Sequence, residues 1–502
     1  MTESAAPTPS PPAARGAPPL AASEGSLVAI AQVYSFFLMA AYFVLKPLRD
    51  EMGVQCGARK LEWLWLGTLA ITLAILPPYW RLVAKLPRRR FLPLVYRGVA
   101  ATLIAFYAAF RWAPAGVTLG RLGASGASWI PRTLLDVPLL PASLFVWISV
   151  FNLLVLTVFW SFMADGFTVE QGKRLFGRIA AGGTAGAIAG AWATGQFADR
   201  LKTYGLLLVS AALLEVATQF ALMLTRRFPT VAPHAVPRRS LREWLAGFEG
   251  VVRSPFLAGI VGYLLLSIFA STVVYAQRTE VFETSKLGSA ARTALFGWSD
   301  FTTQLLALLL QTFVAGRLLQ RFGAGLTLTA QMAFAAIGLA LLGLVLRDPG
   351  AFAAAESTAG WAQWIDACTR RFPEWLRWLP TTVLGWLLVP VLLPNRAMLA
   401  VVLLAVLQKG IEYGLSKPSR EALFTVVSRE EKYQAKSLID TGLYRGFDQL
   451  SIFAYSRLHD PGLIGLSLSA CAFVAAPVML LGVALAAWLG RRHAELARRR
   501  DA

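Results

Sequence analysis

The chain has 502 residues, of which 56% are hydrophobic and 15% charged, and its mean hydropathy is +0.56. A soluble domain carries about a quarter charged residues, so this composition excludes one and points to repeated crossing of a bilayer. The formal net charge of +20 raises nucleic acid as a partner, but the placement of the basic residues argues for membrane topology instead.

Residues 1–25, MTESAAPTPSPPAARGAPPLAASEG, are rich in Pro, Ala and Ser with almost no large apolar side chain. They predict a disordered cytoplasmic tail. The first apolar run is long and arrives late, unlike a signal peptide, so it is expected to be retained as a span. Runs near the roughly 20 residues needed to cross a bilayer fall at 26–46, 62–84, 92–112, 140–164, 176–197 and 205–225. After a Pro- and Arg-rich stretch at 226–255 a second set follows at 256–276, 292–315, 325–346, 397–417, 436–457 and 463–490. The expected fold is an all-α membrane protein of about twelve transmembrane helices. Two six-helix halves, 26–225 and 256–490, are joined by a cytoplasmic linker and followed by a basic tail at 491–502.

Basic residues cluster in RLVAKLPRRR, GKRLFGR, RRFPTVAPHAVPRRSLR and RRHAELARRR, which fall on one side if the spans alternate. By the positive-inside rule that side is the cytoplasm, and both termini lie there. These loops attract anionic membrane lipids. Cys56, Cys368 and Cys471 have no paired spacing and the chain has three histidines, so neither a metal site nor a disulfide framework is expected. With no GxxxxGK[ST] and no G-x-S-x-G pattern, nothing indicates an ATPase or hydrolase, a catalytic residue or a cofactor. Energy for any transport would then come from gradients or exchange.

Span one closes on Lys46 and Arg49, read either as path residues or as interfacial side chains whose long stems snorkel to water. Asn152 is the clearly polar residue deep in span four. In span five Gly182, Gly186 and Gly190 recur every four residues, a stripe that lets another helix approach closely. Asp300 and Gln304 share a face of span eight. The following GRLLQRFGAGLTL (316–328) resembles the loop motif of the major facilitator superfamily, in which glycine permits a tight turn. With the six-plus-six pattern it favours two halves around a central cavity.

The outer segment 347–396 carries Trp361, Trp364, Trp375, Trp378 and Trp386, which fit an interfacial loop or, in another class of function, a lipid-handling or envelope scaffold protein. Within it, 381–394 is an alternative crossing to 436–457. Lys409 and Glu412 lie three apart in span ten.

The stretch KYQAKSLIDTGLYRGFDQLS (432–451) holds the densest charge, with Lys436, Asp440, Arg445 and Asp448. Lys436 and Asp440 are one helical turn apart, Asp440, Tyr444 and Asp448 continue that stripe, and Arg445 reaches Asp448. Four such charges facing lipid would cost on the order of 10 kcal/mol, so the face should look into the bundle, as part of a substrate path or as a structural ion network. Together these residues describe a mixed-charge cavity suited to a small anionic or zwitterionic solute. In an ion-coupled permease Asp440, Asp448, Asp300 or Glu412 would carry the proton or Na⁺. A monomer is expected.

Three stretches, YFVLKPLRDEMG (42–53), RLFGRIAAGGTAGAIAG (174–190) and KPSREALFTVVSREEKYQAKSLIDTGLYRGFDQLS (417–451), resemble the ATP/ADP translocase family of plastids and intracellular bacteria and its bacterial relatives. The resemblance implies a major-facilitator-like fold, nucleotide exchange, and a bacterial inner membrane location. The family places a basic residue in helix two and acidic residues in helices four and seven. Here WLWLGTLAITLAIL, FVWISVFNLLVLTVFW and FLAGIVGYLLLSIFASTVVYA hold no charge.

Overall fold

A computed structural model describes residues 21–113, 116–118, 120–121, 135–228, 249, 251, 253–353, 395–428 and 443–501. Helix α1 (Ala21–Cys56) is followed by a 3₁₀ turn, α2 (Leu61–Lys85), α3 (Arg88–Trp112), α4 (Leu139–Gly166) and α5 (Val169–Arg227). The second half comprises α6 (Pro255–Glu283), α7 (Ser289–Leu309), α8 (Gly316–Arg347), α9 (Arg396–Ile411), α10 (Lys417–Leu423), α11 (Tyr444–His459) and α12 (Leu468–Asp501). Short π-helical segments, Leu310–Ala315 and Glu412–Ser416, join α7 to α8 and α9 to α10.

Among the described residues nine helices are long and apolar enough to cross a membrane, and two of these, over 174–227 and 289–347, are long enough to cross twice. Both double helices are broken where the topology needs a reversal. In α5 the break is Lys202, at φ 54 and ψ 159, and in the other it is Gly323, at φ 73 and ψ 174. Left-handed backbone is cheap for glycine and costs a lysine about 1–3 kcal/mol. The reversal at Gly323 lies inside the loop motif. Counting both limbs of the two long helices gives eleven candidate crossings among the described residues, and α11 has 16 described residues.

Helix ends extend beyond the apolar runs. Span one, expected to end at 46, continues to Cys56 and stops where Gly57 takes φ 95, its N–H bonded back to Gly53 O at 3.1 Å. Glycine in this position is a common helix terminator. The opposite kind of signal starts α5, where Thr168 and Gln171 form a reciprocal capping box. The expected tail 1–25 is described only from Ala21, already in α1, while most of the linker 226–255, the crossing 381–394 and the tryptophan-bearing segment lie outside the described residues.

The first half is organised on α1, whose Tyr34, Leu38, Leu45, Leu48 and Met52 are fully buried. It lies against α5 so closely that a methyl group on Gly182, Gly186 or Gly190 would overlap the backbone of Gln32, Phe36 or Ala40. Here "terminal face" means the side where α1 begins and "distal face" the side where it ends.

Candidate functional site

Between the two halves lies a central cavity of about 460 Å³, within the range of about 300–1,000 Å³ usual for small-molecule sites. Helical spacing decides which residues reach it. On α1 Tyr42, Lys46 and Arg49 recur at four and three residues, on α6 Ser271, Tyr275 and Arg278 do the same, and on α11 Tyr444, Arg445 and Asp448 share a face. Helix α2 adds Trp65 and Thr68, α4 adds Ser149 and Asn152, α7 adds Asp300 and Thr303, and α9 adds Gln408 and Lys409.

The charges form three groups. Lys46 of α1 pairs with Asp300 of α7, across the halves. Asp50 accepts from two guanidinium groups, Arg49 Nη2 at 2.6 Å and Arg278 Nη2 at 2.6 Å, and from Tyr275 Oη at 3.3 Å. Aromatic faces hold this cluster, with Arg49 Cζ 5.7 Å from the Phe145 ring centroid and Arg278 Cζ 5.3 Å from that of Tyr275. In the third group Lys409 Nζ donates to Glu412 Oε2 at 2.8 Å, while Arg445 and Asp448 stand 3.9 Å apart.

The lining residues include six cations, Lys46, Arg49, Arg278, Lys409, Lys417 and Arg445, and three carboxylates, Asp50, Asp300 and Asp448. Glu412, behind Lys409, pairs with one of these cations. Two guanidiniums sharing one carboxylate leave a net positive centre that can accept an anion through charge-assisted, bidentate hydrogen bonds. Asn152 Oδ1, Asp300 Oδ2 and Gln408 Oε1 are buried with no hydrogen-bond partner among the described residues. Such atoms are costly unless water or a solute satisfies them.

Eight sequence candidates therefore line one cavity: Lys46, Arg49, Asn152, Asp300, Lys409, Tyr444, Arg445 and Asp448. Glu412 stands behind it as the partner of Lys409, and Gln304 is not among the lining residues. Lys436 and Asp440 lie outside the described residues. Lys46 and Arg49 line the cavity with side chains 22% and 20% exposed, and their helix continues past them to Cys56. Sequence reasoning missed Asp50 and Arg278. Arg278 lies two residues beyond the expected end of span seven, so that helix, charge-free in its apolar core, does bring a cation to the site. Tyr42, Trp65, Tyr275 and Tyr413 were also missed, since aromatic residues in membrane helices carry no distinguishing signal.

The distal face is closed by contacts between the halves. Arg292 of α7 makes two bonds to the fully buried Glu51 of α1, at 2.7 and 2.8 Å, and Gln55 and Thr203 both meet Ser289. Nearby, Glu283 accepts from the Ala58 N–H at 2.8 Å, and Arg457 reaches Glu62 at 3.4 Å. At the terminal face the ion pairs Arg88–Asp165 and Arg174–Glu24 stay within the first half, and Arg492–Glu495 within the second.

No family model matches the sequence, and no curated protein matches it. Solved structures do. The POT family transporter PepTSo has a TM-score of 0.56 at 11% identity, over 94% of this chain and 98% of that one. A bacterial homologue of the iron transporter ferroportin, in an inward-facing state, has a TM-score of 0.54 at 12% identity, over 94% and 99%. The nucleoside transporter NupG has a TM-score of 0.51 at 14% identity, over 92% and 98%. At these identities the likeness is one of fold: the chain is a multi-pass membrane protein with the major-facilitator-like architecture.

Proposed function

We propose that the protein is a secondary transporter that moves an organic anion through the central cavity by alternating access. The observation that carries this reading is the Arg49–Asp50–Arg278 cluster, which spans the two halves and leaves one guanidinium charge unmatched. A solute bound there touches both halves, as transport by rocking them about a midplane site requires. The ties across the distal face support a conformation open toward the opposite, terminal face, which is cytoplasmic if the basic loops follow the positive-inside rule.

Within this class we favour exchange of nucleotides of the ATP/ADP type, at a bacterial inner membrane. Its support is the resemblance of 42–53 and 417–451 to the translocase family, because those stretches supply Tyr42, Lys46, Arg49, Asp50, Lys417, Tyr444, Arg445 and Asp448 to the cavity wall. Trp65 and Tyr275 also line the cavity, and an aromatic ring there can stack on a flat base. A second reading, a proton- or Na⁺-coupled permease for another solute, draws support from the carboxylates of Asp300 and Asp448 in the same wall. The first test is the unfolding temperature of purified protein with ATP, ADP, inorganic phosphate or an uncharged sugar. Stabilisation by the nucleotides but not the sugar supports the proposal. No stabilisation by any anion would sink the anion assignment.

A further inference from the structure

The cavity does not account for one exposed ion pair on the outside of the bundle. Arg97 of α3 donates to Glu215, on the second limb of α5, through Nε at 3.0 Å and Nη2 at 2.8 Å, and Gln219 donates to the same carboxylate. The two side chains are 53% and 42% exposed. At 1.5 Å per residue Arg97 lies about 14 Å along its helix from Arg88, and Glu215 about 18 Å from Arg227, near the middle of its limb. The pair thus stands at bilayer depth on a surface facing away from the cavity. Charged residues at that depth almost always face a bundle interior.

The surrounding surface lets another helix come close. Gly98, Ala101 and Ala105 are exposed on α3, and a methyl group on Gly98 would meet nothing within 4 Å. Large apolar side chains flank them, with Leu94 53% and Ile104 51% exposed, and Val216 and Met223 exposed on α5. Small residues beside a polar pair are the pattern of helix association in lipid.

We propose that this α3–α5 face binds a second copy of the same chain, forming a twofold dimer. The argument for a second copy is self-complementarity. The patch carries one cation and one carboxylate, so a twofold axis through it places Arg97 of each copy opposite Glu215 of the other and takes all four charges out of lipid. The dimer leaves each cavity intact, because α3 contributes nothing to its wall.

Single-molecule photobleaching of the labelled full chain in liposomes, at falling protein-to-lipid ratios, tests the proposal. The expected result is a two-step population that rises with density. Arg97→Glu gives a patch with two carboxylates and Glu215→Arg one with two guanidiniums. Each alone should stay monomeric, while a mixture of the two should pair. Ala101→Trp leaves the ion pair in place, obstructs the approach, and should weaken association about 10-fold. One-step bleaching of the wild type at every density overturns the proposal and assigns the patch to lipid or to a different helix. Undiminished association of Ala101→Trp overturns it as well.

Discussion

Asp50 on α1 and Arg278 on α6 form a 2.6 Å ion pair between the two halves, and the same carboxylate holds Arg49. The cluster is at once a tie between halves and a positive centre, so a bound anion would compete with Asp50 for its guanidiniums. Removing one should act on the anion and not merely on the fold. Arg278→Gln is expected to weaken anion binding by about 10-fold or more, since a hydrogen bond to a charged group contributes about 1.5–3 kcal/mol. Asp50→Asn should instead tighten binding and slow turnover, because the guanidiniums lose the partner that displaces the solute. Titration by calorimetry beside a transport rate separates the two effects. Equal losses of affinity in both variants would contradict this division of roles.

The Glu51–Arg292 pair is predicted to hold the distal face shut. Glu51 is fully buried, and breaking such a pair costs about 3 kcal/mol or more because one charge is left unmatched. Opening hydrates that charge, so Arg292→Gln should shift the population toward a distal-open state by about 100-fold. Distances between spin labels at exposed distal positions in the two halves report the shift. An unchanged distance distribution would remove the latch role.

The contact between α1 and α5 makes a prediction about glycine that the sequence alone cannot grade. Gly186→Ala places a methyl group into the Phe36 carbonyl and should cost about 2 kcal/mol or more. Gly177→Ala, where nothing lies within 4 Å, should stabilise by up to about 1 kcal/mol through helix propensity. Thermal unfolding in detergent distinguishes them, and similar shifts at both positions would show that the close approach does not exist.

His493, beyond the membrane-spanning part of α12, predicts a pH effect. Burial holds its imidazole below the usual 6.5, outweighing the opposing influence of the Ala422 carbonyl 3.2 Å from Nε2. The folded protein thus disfavours the proton. Stability is full above pH 6.5, the unfolded value, and declines as pH falls from there toward the lowered folded value. The unfolding temperature of wild type should drop more between pH 7.5 and 5.5 than that of His493→Gln. Parallel curves would exclude this group as a contributor.

Much of the fold was legible because an apolar run of about 20 residues has few other uses. Asp448, Arg445 and Tyr444 were legible for the same reason inverted, as charges and a polar ring on one stripe where charge is expensive. Asp50 and Arg278 were not, because hydropathy marks where a helix leaves apolar surroundings and not where it ends. Both stand just past the apolar runs, on turns that continue into a polar cavity. The paired role of Glu412 and the position of Gln304 depend on how α7 and α9 rotate against their neighbours, which helical spacing within one segment does not determine. Nothing in α3 or α5 taken separately marks Arg97 and Glu215 as partners 118 residues apart.

The most direct test of the account is exchange in proteoliposomes: uptake of labelled ATP by wild type and by Arg278→Gln, with and without internal ADP. The account predicts uptake that depends on internal ADP in the wild type and falls about 10-fold or more in the variant. If folded, inserted wild type takes up no ATP, nucleotide exchange is contradicted. If both proteins take it up equally, the Arg49–Asp50–Arg278 cluster is not the anion site.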